Sequence, residues 1–390
     1  MDVAAIAKKL NKEYDNNNLF IKSNVVPSYK RLSTGMMGMD YPLYGGIPYG
    51  RIMVFAGQEH SGKSTAACMA LAAYQRENPD KMCVYVDVEH SLDLQFQAMM
   101  NGLDLDKLYY FNPEVMSGEQ VLAAILEMQK NADDIGMIVL DSIPALVPGN
   151  VLENEFEKDM GMRGTIAKNL HKFCTEITGL LSQKQNILLM INQVRVAGMT
   201  FTGAPIYKEP GGDAPKFYAS VKVRFGTRTF TKGDKIDCSD GDGADGFRLK
   251  FKITKNKTAS CNRGGGFMTY RYETGADYMH DLLEIALGFG FIQRINNITY
   301  ALVNLETGEV LKDENGVELK NKKQYLIDYL WEHEEFRKNY VDMLRRHISA
   351  SNDRSLLSKD ELAEIEAEDR AIEKPGAPDI AKSDEEVENN

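Results

Sequence analysis

The sequence predicts an α/β protein built on a doubly wound, mostly parallel sheet, and three observations support this fold class. Four short apolar runs are continuous rather than alternating, a pattern typical of parallel strands that are buried on both faces. Helical stretches separate these runs, so strands and helices alternate along the chain as they do in such a sheet. A glycine-rich loop, GQEHSGKS at 57–64, joins the first apolar run to the helical stretch that follows it.

The elements of the core follow from these patterns in chain order. The predicted parallel strands are RIMVFAG at 51–57, MCVYVDV at 82–88, GMIVLDS at 136–142 and NILLMIN at 186–192. The predicted helices lie at 63–77, 91–102, 118–131 and 162–182. Later runs at 221–225, 247–254 and 266–272 alternate apolar with polar residues, so we expect them to form antiparallel strands that extend the sheet.

Smaller parts flank this core at both ends. Residues 3–15 predict an amphipathic helix with Ala5, Ile6 and Leu10 on one side, followed by the polar stretch DNNN. This helix could pack on its own domain or on a neighbouring copy of the chain, and its composition does not decide between them. Residues 278–350 change to helices around a small hairpin and predict a separate α+β lobe.

Composition points to a globular protein without a membrane-spanning segment. Hydrophobic residues make up 43% of the 390 residues and charged residues 26%. No run of about 18 apolar residues occurs, and lysines and acids interrupt the N-terminal stretch where a signal peptide needs apolar residues. We therefore expect a cytoplasmic protein. The 5 cysteines and 6 histidines lack metal-ligand spacing, which argues against zinc and for buried, reduced thiols.

The net charge of −11 is concentrated at the C-terminus. Residues 359–390 carry 12 acids and 4 bases, which is −8 and leaves −3 for the rest of the chain. Overall acidity therefore does not exclude nucleic-acid binding, for which a local surface is sufficient. The acidic segment is poor in aromatic residues and reads as disordered. It is either a solubilising extension or a DNA mimic that competes for a basic surface.

The loop at 57–64 has the form G-x-x-x-x-G-K-S and lies between a predicted strand and a predicted helix, the context of a phosphate-binding loop. Gly57 and Gly62 allow backbone N–H groups to turn toward phosphates. Lys63 supplies a positive charge, and Ser64 offers a hydroxyl to Mg²⁺. The predicted ATP contacts of the loop are Gly57, Gln58, Glu59, His60, Ser61, Gly62, Lys63, Ser64 and Thr65.

Polar side chains follow three other predicted strands. Asp141 ends an apolar run and is the predicted partner of Ser64 at the metal. Glu89 follows another run and is the predicted base that orients and deprotonates the attacking water, with Asp87 as its competitor. Gln193 ends a fourth run and could sense the γ-phosphate, or it could be an ordinary strand-end amide.

Beyond this loop, the sequence resembles the RecA family of homologous-recombination proteins, bacterial or phage-encoded. The resemblance rests on motifs in family order, of which GGDAPKFYAS and KNK are more specific than the phosphate loop. The motifs are RLSTGMMGMD (31–40), GGIPYGRI (45–52), GQEHSGKST (57–65), VDVEHSLD (86–93), MIVLDSIPAL (137–146), INQVR (191–195), GGDAPKFYASVKV (211–223) and KITKNK (252–257). They cover residues 31 to 275 firmly and the ends of the chain only loosely.

The resemblance implies roles for residues of the nucleotide site. Glu89 is similar to the family's catalytic base, Asp141 to its metal-binding acid and Gln193 to its nucleotide-sensing amide. Asp93 and Phe96 match positions near adenine, although Phe96 could also belong to the core. Lys255 and Lys257 resemble a pair that reaches the ATP of an adjacent subunit, which implies a shared active site; on their own they read as solvated lysines.

The resemblance also implies two DNA-binding segments, 150–164 and 194–215. The candidate DNA contacts are Met160, Gly161, Arg163, Arg195, Val196, Met199, Phe201, Gly211 and Gly212. Val196, Met199 and Phe201 could contact bases, while glycine amides and the two arginines could contact phosphates. The second segment has no strong regular pattern and is long for a loop, as functional loops often are. Lys216, Phe217 and Lys222 match a subunit-interface segment, with a core anchor as the alternative for Phe217.

The sequence therefore predicts a DNA-dependent, Mg²⁺-requiring ATPase and recombinase that forms helical filaments on single-stranded DNA and pairs it with homologous duplex DNA. Its predicted parts are an oligomerisation helix and linker (1–32), a RecA-like P-loop ATPase core (33–275), a small C-terminal domain (276–350) and an acidic disordered tail (351–390). Other copies of the chain, single-strand-binding protein and loader proteins are the further candidate partners, and no membrane is involved. The rivals are a hexameric replicative helicase, which would form a closed ring, and a DNA-coating protein with a vestigial ATP site.

Overall fold

A computed structural model describes residues 2–13, 29–149, 165–199, 205–226, 235–237, 244–259 and 263–350, together with residues 362 and 365. The helices are α1 (Val3–Glu13), α2 (Met37–Asp40), α3 (Lys63–Glu77), α4 (Leu94–Asn101), α5 (Gly118–Asn131), α6 (Thr165–Lys184), α7 (Ala214–Tyr218), α8 (Tyr278–Gly288), α9 (Lys323–Glu332) and α10 (Glu334–Ala350). Single 3₁₀ turns occur at Leu105–Lys107 and Ile143–Ala145.

The strands lie mostly in one large sheet. They are β1 (Arg31–Leu32), β2 (Ile47–Pro48), β3 (Ile52–Gly57), β4 (Met82–Asp87), β5 (Leu108–Phe111), β6 (Ile135–Asp141), β7 (Ile187–Gln193), β8 (Arg195–Met199), β9 (Pro205–Lys208), β10 (Val221–Phe225), β11 (Lys235–Asp237), β12 (Ala244–Asn256), β13 (Gly265–Arg271), β14 (Gly275–Ala276), β15 (Ile292–Arg294), β16 (Thr299–Leu302) and β17 (Lys320–Lys322).

The large sheet has the order β14-β13-β12-β10-β3-β7-β6-β4-β5, and β11 pairs with β12 outside this path. The strands from β10 to β5 run parallel to one another, while β12, β13 and β14 are antiparallel. The doubly wound α/β prediction is confirmed, as are the four predicted parallel strands, each within one residue at either end. The helical predictions within the core are confirmed as well, with shifts of a few residues.

The orientation of strand β10 differs in part from the prediction made from its sequence pattern. VKVRF was expected to be antiparallel, and β10 does pair antiparallel with β12, but on its other side it runs parallel to β3, with Val221 opposite Met53. The alternation of apolar and charged residues in β10 does not indicate an exposed face. Lys222 is ion-paired with Glu209 at 2.7 Å, and Arg224 is fully buried. The short edge strand β5 was missed, because its apolar run LYYF is only four residues long.

Helices cover both faces of the sheet, and strand alternation divides the apolar side chains between two cores. Met53 and Phe55 of β3 pack with α3 on one face, while Ile52 and Val54 pack with α5 and α6 on the other. Because the strands from β10 to β5 run parallel, their carboxyl ends lie along one edge of the sheet. Residues that follow these strands are therefore brought together.

The terminal parts differ in how they pack. Helix α1 matches the predicted amphipathic segment, yet it contains no buried residue, and Ile6 is 43% exposed. The C-terminal lobe of α8 to α10 and β15 to β17 shares a buried apolar cluster with Met37, Tyr41 and Phe267 of the core. Among the described residues, no helix is long and apolar enough to cross a membrane.

An acidic side chain is buried where the lobe meets the core. Asp281 of α8 is fully buried, and its Oδ1 atom accepts a hydrogen bond from the Thr269 backbone N–H at 3.0 Å. Burial raises the pKa of Asp281 to about 8, against the lowering effects of Thr269 and the Arg248 charge. The proton on this carboxyl is therefore part of the folded structure at neutral pH.

Candidate nucleotide-binding site

The glycine-rich loop connects the end of β3 to the start of α3, and its two flanking glycines have no room for a side chain. Gly62 precedes α3 with φ of 84°. A Cβ atom at Gly62 would lie 2.6 Å from Leu249 Cδ1, and one at Gly57 would lie 2.5 Å from Ser61 Oγ. A side chain at Gly62 would also be strained by the positive φ, and one at Gly57 would have to displace the Ser61 hydroxyl. The loop leads directly into the N-terminus of α3, where the first backbone N–H groups have no partner within the helix and can bind an anion.

Lys63 lies inside this loop. Its Nζ atom donates to the Gln58 carbonyl at 2.5 Å and to Ser61 Oγ at 3.4 Å. Only 6% of the residue is exposed, and burial lowers the pKa of Lys63 to about 8 despite the nearby carboxylates of Asp141 and Glu89. The amine is thus held against the oxygen atoms of the loop, where phosphate oxygens would be the stronger acceptors for a cation.

Ser64 and Asp141 lie next to each other, as the sequence predicted. Ser64 Oγ donates to Asp141 Oδ2 at 2.7 Å, which joins the first turn of α3 to the end of β6. Burial raises the pKa of Asp141 to about 6, and hydrogen bonds from Tyr85 and Ser64 act in the opposite direction. A hydroxyl and a carboxylate are the hard oxygen donors that Mg²⁺ prefers, so the pair fits this ion.

Glu89 and Gln193 meet at the same edge of the sheet. The Gln193 Nε2 amide and the Ser142 hydroxyl both donate to Glu89 Oε1. These residues follow or end β4, β7 and β6, which are neighbours in the sheet. Their meeting follows from topology, because the carboxyl ends of parallel strands share one edge.

Asp87, the competing carboxylate, has a different position. It is fully buried, and its Oδ2 atom accepts from the Leu92 N–H at 3.0 Å and from the Tyr110 hydroxyl at 2.8 Å. Asp87 therefore anchors the loop that presents Glu89. This leaves Glu89 as the better candidate for a group that handles water.

The residues matched to the adenine contacts lie at the start of α4. Asp93 is exposed and caps the helix, because its Oδ1 atom accepts from the Phe96 N–H at 2.9 Å. Phe96 is 41% exposed and so does not belong to the core. Its ring remains available as a flat apolar surface, and its contact with adenine stays a proposal.

Four lysines lie together around α7. The Nζ atoms of Lys255 and Lys257 donate to the Phe217 carbonyl, at 3.0 and 2.9 Å. Lys255 also donates to the Lys216 carbonyl at 2.5 Å, and burial together with the charges of Lys257, Lys222 and Lys216 lowers its pKa to about 8. The Phe217 side chain is 61% exposed, which excludes the core-anchor alternative for it.

The backbone of Lys257 lies far along the sheet from the phosphate loop of its own chain. The Lys257 N–H bonds the Ser220 carbonyl, and the Ser220 N–H bonds the Ile52 carbonyl at the first residue of β3. Gly57 is five residues further along β3, a distance of about 16 Å at the usual rise per residue. Lys257 is therefore level with the edge of the sheet opposite its own nucleotide site.

The structure describes only some of the residues that the sequence predicted to bind DNA. Met160, Gly161, Arg163 and Phe201 are outside the described residues. The expectation that 194–215 lacks regular structure is wrong for two stretches, because β8 and β9 form an antiparallel pair with Arg195 opposite Lys208. Arg195, Val196 and Met199 belong to β8, which begins two residues after Gln193.

Gly211 and Gly212 have a packing role that the sequence did not suggest. Both have positive φ, of 91° and 68°. A Cβ atom would lie 2.7 Å from Ile143 Cγ2 at the first glycine and 2.7 Å from Ala167 Cβ at the second. They allow the chain to turn closely over the end of β6 and the start of α6 after the hairpin.

Two residues of the site were missed in the sequence. Ser142 bonds Glu89, and the fully buried Tyr85 of β4 donates from its hydroxyl to Asp141 Oδ2 at 2.5 Å. A tyrosine within a continuously apolar strand is a usable signal, because a buried hydroxyl needs a hydrogen-bond partner. The partner of Tyr85 could be found only once β4 and β6 were known to be neighbours.

Comparisons with known proteins agree with this geometry. The family model for the RecA N-terminal domain matches residues 2–275. The chain is similar to Protein RecA of Colwellia psychrerythraea, at 30% identity over 90% of this chain and 91% of the relative. It is also similar to Protein RecA of Chlorobaculum parvum, at 33% identity over 70% of this chain and 74% of the relative, and of Mycoplasma pneumoniae, at 31% over 74% and 84%. With a phosphate loop, a matched core and relatives that align along most of its length, the chain belongs to the RecA family of DNA recombination and repair proteins.

Proposed function

We propose that this protein is a DNA-dependent ATPase and recombinase that forms helical filaments on single-stranded DNA and promotes pairing and strand exchange with homologous duplex DNA. The observation that carries the proposal is the convergence of Lys63, the Ser64–Asp141 pair and the Glu89–Gln193 hydrogen bond on one edge of the sheet. Each is a part that phosphoryl transfer to water requires.

In the proposed hydrolysis, Lys63 exchanges its contacts with the loop oxygens for the β- and γ-phosphate oxygens of ATP. Ser64 and Asp141 would hold Mg²⁺, which neutralises phosphate charge when bound. Glu89 orients the attacking water and accepts its proton as the bond to the γ-phosphorus forms and ADP leaves. Ser142 and Gln193 both bond one oxygen of Glu89, which leaves the other for this water.

Gln193 supplies the proposed connection to DNA. Its side chain contacts Glu89, and its backbone leads directly into the β8–β9 hairpin, which carries Arg195, Val196 and Met199. A change at the γ-phosphate that displaced the Gln193 amide would act on the first residues of this hairpin. DNA held by the hairpin would act on Glu89 by the same route, since coupling between two sites is reciprocal.

Three surface features of the described residues support assembly into a filament. By strand rise, the backbone of Lys257 lies about 16 Å and that of Lys255 about 10 Å from the chain's own phosphate loop, and we propose that the pair meets the ATP of another subunit. Helix α1 has an unburied apolar side, and Phe217 is 61% exposed beside the lysines. We propose that these three surfaces lie at subunit interfaces.

The testing experiment is ATP hydrolysis by the purified protein with and without long single-stranded DNA. We expect hydrolysis that needs Mg²⁺ and is strongly stimulated by single strands, followed by strand exchange with homologous duplex. Equal rates with and without DNA would leave an ATPase but contradict the recombinase. Electron microscopy of the DNA complex distinguishes an open filament from the closed ring of a helicase.

A further inference from the structure

Tyr85 lies in the site, but the proposed chemistry assigns it no role. Its ring is fully buried in the apolar cluster between the sheet and α3. Its hydroxyl is the polar end of the side chain and donates a hydrogen bond to Asp141 Oδ2 at 2.5 Å. The contact joins two neighbouring strands, β4 and β6, at the point where β6 ends.

The Asp141 carboxylate is held by two hydroxyl donors on the same oxygen. Ser64 Oγ donates to Oδ2 at 2.7 Å from the side of α3, and Tyr85 donates to it from within the sheet. Both hydrogen bonds meet Oδ2, so neither uses Oδ1. Two donors from different directions restrict rotation of the carboxylate more than one donor does.

The two donors differ in what they would do when a metal ion is bound. Ser64 is itself a proposed metal ligand, so its oxygen would be shared between the ion and Asp141. Tyr85 is fully buried in the apolar core, on β4 rather than next to the phosphate loop, and is not a proposed metal ligand. It is therefore the donor that can keep the carboxylate in one orientation whether or not the ion is present.

We propose that Tyr85 is a positioning residue, which orients Asp141 through Oδ2 so that the Ser64–Asp141 pair is preorganised for the Mg²⁺ that accompanies the nucleotide. The inference rests on the proposed function, because it assumes that Ser64 and Asp141 hold this ion. Removing an outer partner of a metal ligand typically costs 10-fold to 100-fold in metal affinity. The loss expected here is about 10-fold, since Ser64 continues to hold the same oxygen.

The test is Tyr85→Phe, which removes only the hydroxyl and leaves an apolar ring in an apolar cluster. The matched control is Tyr74→Phe, because Tyr74 of α3 is buried in the same cluster and its hydroxyl lies against Gly136 rather than Asp141. The measurement is binding of a fluorescent ADP analogue during a Mg²⁺ titration. It reports metal-assisted binding without any turnover.

We expect Tyr85→Phe to raise the Mg²⁺ concentration for half-maximal binding about 10-fold, while Tyr74→Phe behaves as the wild type. Saturating Mg²⁺ should restore full binding to Tyr85→Phe, which a misfolded protein would not show. An unchanged titration for Tyr85→Phe, or a defect that persists at saturating Mg²⁺, would overturn the inference alone. Wild-type protein that binds the analogue without any Mg²⁺ dependence would overturn the metal assignment in the proposed function, and this inference with it.

Discussion

The side-chain amide of Gln193 donates a hydrogen bond to the carboxylate of Glu89. This contact joins the last residue of β7 to the loop after β4, across the edge of the sheet on which the phosphate loop also lies. The proposed base and the first residues of the β8–β9 hairpin are thus one hydrogen bond apart. In the proposed function, this hydrogen bond is the contact that couples ATP hydrolysis to DNA binding.

Replacing Glu89 by glutamine should separate nucleotide binding from hydrolysis. The amide keeps the size of the side chain but cannot accept a proton from water, so we expect the rate to fall by a factor of about 10² to 10⁴. Binding of ATP should be retained, because Lys63 and the loop are unchanged. Glu114→Gln, an identical change at an exposed residue after β5, is the matched control. Full hydrolysis by Glu89→Gln would remove the assignment of the base.

Truncating Gln193 to alanine should uncouple DNA from hydrolysis. Glu89 would keep its bond from Ser142, so some hydrolysis without DNA is expected to remain. The ratio of the rates with and without single-stranded DNA should fall to near one, because the route from the hairpin to Glu89 is interrupted. Measuring both rates at saturating ATP and DNA checks this. A variant with normal stimulation would show that Gln193 is only a strand-end amide.

Mixing two inactive variants should test whether the active site is shared between subunits. Lys255→Ala removes the proposed contribution to the neighbour's ATP, and Glu89→Gln removes the base at the chain's own loop. Mixed assemblies contain some sites with Glu89 from one subunit and Lys255 from the other, so hydrolysis should reappear on mixing.

The control for that experiment is a mixture of Glu89→Gln with Lys63→Ala. Both residues belong to the same half of the site, so no arrangement of these subunits contains an intact one. This mixture should stay inactive. Recovery in the control, or none with Lys255→Ala, would argue that each chain completes its own site.

Asp281→Asn should change how stability depends on pH. The folded-state pKa of about 8 lies above that of an unfolded aspartic acid, near 4, so the folded protein binds a proton that the unfolded chain releases. The free energy of unfolding of the wild type should therefore fall as pH rises through this window and level off above it. In Asp281→Asn this contribution is absent, so the stability curve should be flatter between pH 5 and pH 8.

Thermal melting across this pH range measures the effect. Asp328→Asn, at an exposed residue of α9 in the same lobe, is the matched control and should follow the wild type. Parallel curves for the wild type and Asp281→Asn would contradict a protonated, buried Asp281.

The sequence predicted the core of the fold because burial on both faces leaves a strong pattern. Runs such as MIVL at 137–140 are apolar at every position, and GQEHSGKS has few structural alternatives. The orientation of β10 could not be predicted, because the charged side chains of Lys222 and Arg224 are accommodated within the fold and resemble an exposed face.

Some parts of the site could be predicted from the sequence, and others could not. Strand-end positions placed Asp141, Glu89 and Gln193 at one edge, which the structure bears out. The contact between Tyr85 and Asp141 depends on which strands are neighbours, and that order is set by long-range packing. Gly211 and Gly212 have positive φ for packing against Ile143 and Ala167, a cause that no local pattern of the chain reveals.

The position of Lys257 at one end of the sheet and of the phosphate loop at the other has a geometric consequence. In the proposed filament these two surfaces meet head-to-tail between successive subunits, so each contact is heterologous and joins unlike patches. The polymer then has, at one terminus, a phosphate loop without a neighbouring subunit and, at the other terminus, a lysine pair without one. Such a polymer has a direction, so the two termini can gain and lose subunits at different rates.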